Sequence, residues 1–490
     1  MQQTCEGRSP TGPRRAVLLL CGIAIATSIA SAQSAIDFRT SDGTFFVLVP
    51  TSGAAIVHWT VATPIGPQVD PASTPGLAAA CAQASLRGTW DIGSLDADRE
   101  RKALAELDEA ETIVDIAPSL SGTAAEPARR AELLARVAQL RSVADALCDP
   151  LAFRRVLATA PARNVRLRFD QDTAILSLTT TPLGVTAVAR LLYNRRESQA
   201  LRSVRQDLAQ LQQEATTEWD RSPMAPLYAE TLALAFPSHA LARAGDRPSI
   251  GGFRRQLALE VFAKSQHPRN TVHVLTGSFD VTALKSALEG IFTTTALQQP
   301  EVLQKAAPRA QAAVRRAMVP GAKRPAALIA YSLPAGLDAT SVATVAQWFA
   351  GGDDSWLGRE LVRSGRKTAT VAVRAPWPES AATGLLVIEV MDQAGTSVKL
   401  ADDVLALCTK GRQATPEVGQ LPQAFTRVRH EFEAETGGSP SLASWIARRT
   451  LQNGGTALPQ PPEVPPFAEL TALLRRILAT NPVVVEWRDA

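Results

Sequence analysis

The chain has 490 residues, of which 46% are hydrophobic and 20% charged, with a formal net charge of +4. That balance excludes a disordered chain and suits two or three domains with real cores. Lysine and arginine are interleaved with aspartate and glutamate throughout, so the basic, aromatic-backed block that a nucleic-acid binder needs is missing and no nucleic-acid partner is expected.

In chain order, residues 1–32 have the form of a signal peptide: Arg14 and Arg15, an apolar run over 16–26, then Ala30-Ser31-Ala32 as an A-x-A cleavage site. The run is too short for a transmembrane span, so cleavage is expected between Ala32 and Gln33 and the mature chain is expected in the periplasm or outside the cell, without a membrane span. Loss of the leader would leave Cys81, Cys148 and Cys408, whose spacing fits no zinc ribbon or C-x-x-C motif. A Cys81–Cys148 disulfide and three buried thiols are both compatible with an exported chain.

The mature chain opens with a hairpin-like pattern, a strand over 44–49 (TFFVLV), a turn at Pro50-Thr51-Ser52-Gly53 and a second strand over 55–61. An Ala- and Leu-rich helix is expected over 76–86, and helices over 98–148 with a loop at 119–127. Residues 173–179 read as a strand, 201–214 as a helix with a Leu201, Val204, Leu208, Leu211 stripe, 271–279 as a strand and 281–292 as a helix. Residues 293–325 hold four prolines and lack a clear strand pattern, which marks an interdomain linker. The pattern then restarts with a strand at 326–333, a helix at 339–349, strands at 369–373 and 384–391, and helices at 398–407 and 421–435. A proline-rich loop at 459–466, a helix and a last strand at 483–487 close the chain. The fold class is therefore α+β: two similar halves, 33–292 and 326–490, each an antiparallel-rich sheet with helices on one face.

Residues 69–89, VDPASTPGLAAACAQASLRGT, resemble the first-domain motif of the insulinase/pitrilysin-type zinc peptidases. Asp70-Pro71, Gly76-Leu77-Ala78 and Gly88-Thr89 match its frame, in which H-x-x-E-H sits on a helix. The two histidine positions hold Ala79 and Gln83, and the glutamate position holds Ala82. In the intact motif two imidazoles four residues apart bind zinc and the glutamate activates the bound water. An alanine methyl has no lone pair and a glutamine amide is a poor zinc ligand. The resemblance continues through Gly88-Thr89-Trp90-Asp91-Ile92-Gly93, which matches a variant with a helical insertion, here about 94–160, whose end resembles Asp149-Pro150-Leu151-Ala152-Phe153. It places Glu214, within 213–223, at the position of a third zinc ligand, and it also covers Phe236-Pro237-Ser238-His239 and Pro268-Arg269-Asn270.

In the second half the resemblance reaches a G-G-x-x-S-R-L loop followed by a tyrosine, the arginine and tyrosine acting as substrate clamps. Here Gly351-Gly352-Asp353-Asp354-Ser355-Trp356-Leu357 keeps the glycines, Ser355 and Leu357, but Trp356 replaces the arginine and the tyrosine position falls near Thr368. The resemblance implies a clamshell of two domains, and the substitutions imply an inactive member: a pseudopeptidase with no cofactor and no catalytic, cofactor-binding or metal residue. Its expected role is that of a non-catalytic partner of a paralogue with an intact zinc motif, or of a peptide-binding protein. The alternatives are an active zinc peptidase using an atypical site around Glu214, and a structural scaffold of the cell envelope.

His58, His239, His267, His273 and His430 form no i, i+4 pair, and His430-Glu431 lacks the second histidine of H-E-x-x-H. There is no G-x-S-x-G elbow or P-loop. Ser439-Pro440 reads as a helix N-cap with proline in the first turn. Trp348, Trp356 and Trp377 are expected in core or interface packing.

Overall fold

The computed structural model describes residues 35–116, 126–170, 172–222, 224–293, 305–320, 325–379, 381–393 and 399–488. The expected signal peptide and part of the expected 119–127 loop lie outside them.

The runs that read as continuous apolar strands are buried on both faces, as strands between two helical layers must be. The first sheet contains β1 (Ile36–Arg39), β2 (Phe45–Pro50), β3 (Val57–Pro64), β4 (Arg163–Phe169), β5 (Thr173–Thr180) and β6 (Val272–Gly277), in the order β1-β2-β6-β3-β5-β4. β2 runs parallel to β6 and the other neighbours are antiparallel. The expected β2–β3 hairpin does not form, because β6, from over two hundred residues downstream, lies between the two strands.

The helices of this half are α1 (Leu77–Ala84), α2 (Ala97–Ile116), α3 (Glu126–Ala146), α4 (Ala152–Thr159), α5 (Val185–Glu197), α6 (Val204–Arg221), α7 (Ala225–Ala235), α8 (Arg255–Ser265) and α9 (Val281–Ile291). Phe46, Leu48, Trp59, Leu176, Leu178 and Leu275 bury one sheet face against α4, α5 and α9. Leu201, expected inside a helix, instead sits at φ +46° just before α6, and its side chain is fully buried beside Val204 and Leu208.

The second sheet contains β7 (Arg315–Pro320), β8 (Ala326–Ser332), β9 (Ala369–Trp377), β10 (Leu385–Asp392) and β11 (Val483–Arg488), in the order β7-β11-β8-β10-β9. β7 corrects the expectation that 293–325 lacks a strand: it pairs parallel with β11, Arg315 opposite Val483 through Pro320 opposite Arg488. The helices are α10 (Ala339–Ala350), α11 (Trp356–Arg363), α12 (Leu400–Gly411), α13 (Gln420–Thr436), α14 (Ser439–Asn453) and α15 (Phe467–Leu478). Gly438, not Ser439, is the N-cap of α14, and Pro440 falls in its first turn.

The two sheets repeat one plan. The series β2-β6-β3-β5-β4 and β7-β11-β8-β10-β9 have the same neighbours and directions, each with one parallel pair at the start of the series. Each sheet carries its main helical layer on one face. The opposite face is covered from the other half: α14 packs on Phe45, Val47, Val272 and Val274 of the first sheet, and α7 on Leu328, Leu385, Val387 and Val485 of the second. No described helix is long and apolar enough to cross a membrane.

Candidate functional site

Helix α1 is short, and its N-terminus is built from outside. Gly76 precedes it at φ +83°, and a Cβ there would meet the Pro248 Cβ at 2.8 Å, so both the turn and the close approach require glycine. Asp70, six residues upstream of Gly76, accepts the N–H of Gly76 at 2.8 Å and of Ala78 at 2.6 Å, taking up orphan donors of the first turn. Burial pushes the Asp70 carboxyl up to about 6, against the two N–H bonds and Arg243, which act to lower it. The Arg243 guanidinium donates to the Pro67 carbonyl at 2.8 Å and closes the same corner.

The far end of the motif is equally structural. Gly88 sits at φ +131°, where a Cβ would meet the Ile92 carbonyl at 2.6 Å. The Thr89 hydroxyl donates to Asn194 Oδ1 at 2.8 Å and accepts the Ile92 N–H at 3.0 Å. The matched frame therefore consists of residues that fix the helix and its turns.

The three motif positions diverge in their surroundings. Ala79 is half-buried and faces a cavity of about 130 Å³ shared with Asp70, Arg243, Asp246 and Pro248. Ala82 is fully buried in the core formed by α1, α6 and α8. Gln83 faces a different groove, of about 400 Å³, with Arg87, Arg154, Val165, Leu167 and Phe169. Glu214 lies on α6, which does pack against α1, but its exposed carboxylate accepts from Gln210 at 2.7 Å and borders a third depression with Gln213, Thr217 and Arg221. Two methyl groups, one amide and a carboxylate on a separate depression do not fit a zinc ion. Among the described residues no three His, Cys, Asp or Glu side chains come together as a metal site.

The clamp loop of the second half is likewise absorbed into packing. Ser355 caps α11 by accepting the Gly358 N–H at 3.2 Å. Trp356 stacks on Phe349 with ring centroids 5.2 Å apart and packs, partly buried, against the core of the second half. Thr368 donates to Asp392, which Arg366 also engages at 3.2 Å. Trp348 is buried and donates to Gln420, and Trp377 packs on Tyr228 of α7 at 5.1 Å.

The helical insertion closes at its base, where Asp149 donates its N–H to the Gly93 carbonyl at 2.7 Å and Leu95 to the Leu147 carbonyl at 2.9 Å. A buried ion pair joins it to the motif: Arg202, 4% exposed, engages Glu100 of α2, 1% exposed, and donates to the Thr89 carbonyl at 3.0 Å. Nearby, burial pushes Asp108 up to about 7 although Arg255 lies 3.4 Å away.

Cys81, Cys148 and Cys408 are all free, which rules out the Cys81–Cys148 pairing; Cys81 and Cys408 are buried thiols, whereas Cys148 is only half-buried. His273 is buried, accepts the Trp59 indole N–H at 3.1 Å and is held neutral by burial, its pKa lowered to about 3. His239 and His267 accept backbone N–H groups of their own turns.

No protein-family model matches the sequence, and no curated protein matches it. Solved structures do resemble it across nearly its whole length. A protease from Helicobacter pylori aligns at a TM-score of 0.62 and 13% identity, covering 94% of this chain and 100% of that one. The peptidase M16 inactive domain from Pseudomonas fluorescens aligns at 0.63 and 15%, covering 93% and 98%. A chain of complex III2 from Candida albicans aligns at 0.59 and 14%, covering 93% and 96%. At such identities the likeness establishes the fold: a two-part α+β architecture like that of peptidase M16.

Proposed function

We propose that this protein is an exported, non-catalytic relative of the M16-type peptidases that acts by binding, taking an extended peptide or a segment of a catalytic paralogue. The observation that carries the reading is the state of α1. Ala79 and Gln83 open onto separate depressions, and the position of the water-activating glutamate is a fully buried alanine. The missing chemistry is thus replaced by packing. Two further observations support the reading: a neighbour of the same fold is described as an inactive domain, and Trp356 fills the clamp position with a core contact.

A binding role has a place in the fold. β4 is an edge strand, and an edge offers its free N–H and C=O groups to an added strand. The Gln83 groove runs beside it.

Two measurements test the proposal. The purified mature protein is expected to hold no stoichiometric zinc and to cleave none of a mixed panel of quenched fluorescent peptides, with added zinc changing neither result. Stoichiometric zinc together with hydrolysis would establish the atypical peptidase instead. Co-expression with a paralogue bearing an intact H-x-x-E-H tests the partner role: a stable complex with altered peptide turnover is expected.

A further inference from the structure

Among the described residues strand β4 pairs on one side only, with β5, and its side chains divide into two sets. Val165, Leu167 and Phe169 line the groove that holds Gln83, while Arg166 and Arg168 alternate with them on the opposite side of the strand and are exposed. Arg87 and Arg154 stand on the groove wall.

The charges do not cancel. Arg87 is engaged by the buried Asp207, and Arg168 lies 3.5 Å from Asp170. Asp149, next in sequence to the groove-lining Pro150, is taken by Arg155. Among the described residues no carboxylate lies within ion-pair distance of Arg154 or Arg166. The local acids are thus already paired, and the surplus along the open edge is cationic.

Resting on the binding reading above, we infer that this edge selects extended segments rich in carboxylates: apolar side chains of the added strand seat against Val165, Leu167 and Phe169, and acidic ones, on the opposite face, meet Arg166 and Arg168. The strand edge supplies affinity without sequence preference, and the two arginines supply the choice of charge.

The test uses the full mature protein and three labelled ten-residue peptides read by fluorescence anisotropy: alternating Glu and Val, alternating Lys and Val, and the Glu–Val peptide N-methylated at alternate residues. The Glu–Val peptide is expected to bind roughly tenfold tighter than the Lys–Val peptide, and more weakly as salt rises. N-methylation, which removes strand-pairing donors, is expected to abolish binding. The double variant Arg166→Glu, Arg168→Glu changes two exposed side chains, keeps the circular dichroism spectrum, and is expected to lose roughly tenfold in affinity for the Glu–Val peptide. Equal binding of the two charge types, undiminished binding by the variant, tight binding of the N-methylated peptide, or no binding of the Glu–Val peptide would each overturn the inference. Zinc content and hydrolysis, measured on the same preparation, judge the non-catalytic reading separately, so binding without charge preference removes only the selectivity.

Discussion

At the scale of single residues, the substituted motif positions and the kept frame have different physical reasons. Ala82 is fully buried among apolar neighbours, so a glutamate there would carry an unpaired carboxylate into the core. Ala82→Glu is expected to cost about 3 kcal/mol in urea unfolding, whereas Ala79→His and Gln83→His, at half-buried positions, are expected to cost under about 1 kcal/mol each. A mild effect of Ala82→Glu would mean that the helix retains room for a carboxylate at this position. The frame was legible because its residues meet backbone demands that few others can: positive φ at Gly76 and Gly88, and the helix-capping carboxylate of Asp70. That alanine offers no ligand atom at two of the three motif positions is likewise plain from the sequence. That Ala79 and Gln83 open onto different depressions is not, because it depends on Arg243, Pro248, Leu167 and Phe169, brought in from distant segments. Asp70 gives a pH prediction. Its folded pKa, about 6, lies above the unfolded value of 3.8, so the folded state holds the proton more tightly. Its contribution to stability is full at pH below the unfolded value and is lost as pH rises toward 6. Carboxyl-carbon NMR is expected to show Asp70 titrating near 6, and Asp70→Asn to flatten the stability profile across that window.

At the scale of elements, sequence patterns found strands whose burial is two-sided or strictly apolar and missed those that alternate with charge. β4 reads as RNVRLRF, with arginines interleaved among Val165, Leu167 and Phe169, and an exposed edge permits that composition. β7 has the same character: Ala317 and Val319 pack inward, while Arg316 is half-exposed and Met318 is 62% exposed. Its partner β11 lies at the far end of the second half, so no local turn signal announces the pair. The insertion is tied down by a different device. Arg202 reaches from the start of α6 to Glu100 on α2 and to the Thr89 carbonyl, all out of water. Removing one partner of a buried pair strands the other charge, which is more damaging than losing an exposed pair. Glu100→Gln and Arg202→Met are each expected to cost about 3–5 kcal/mol, with the double variant costing less than the sum because neither charge is then left alone. Thermal unfolding of the three variants checks this; strict additivity would show that the pair is uncoupled.

At the scale of the molecule, the two halves repeat one strand order but do not complete themselves. The first sheet's outer face, with Phe45, Val47, Val272 and Val274, is covered by α14, which follows α13 of the second half. The second sheet's outer face is covered by α7, through Leu227, Leu232 and the neighbouring Phe236. Exchange of covering helices makes the duplicated plan one cooperative unit, since each half alone would expose a contiguous apolar face on its sheet and another on its own orphaned helix. A fully buried side chain of this kind is worth about 1.5–3 kcal/mol, so losing several from each half exceeds the few kcal/mol by which a domain is stable. Residues 33–292 and 293–490 produced separately are therefore expected to aggregate or to bind a hydrophobic dye, and to become soluble when co-expressed as a one-to-one complex. The apolar contacts also predict which substitutions mimic separation: Ile446→Asp on α14 and Leu232→Asp on α7 each place a charge at one of the two seams. Each is expected to unfold the whole chain in a single transition rather than one half, because the α7 seam stabilises the second sheet with first-half residues and the α14 seam does the reverse. Two separate calorimetric transitions, one per half, would show instead that each sheet holds together without the helix lent to it.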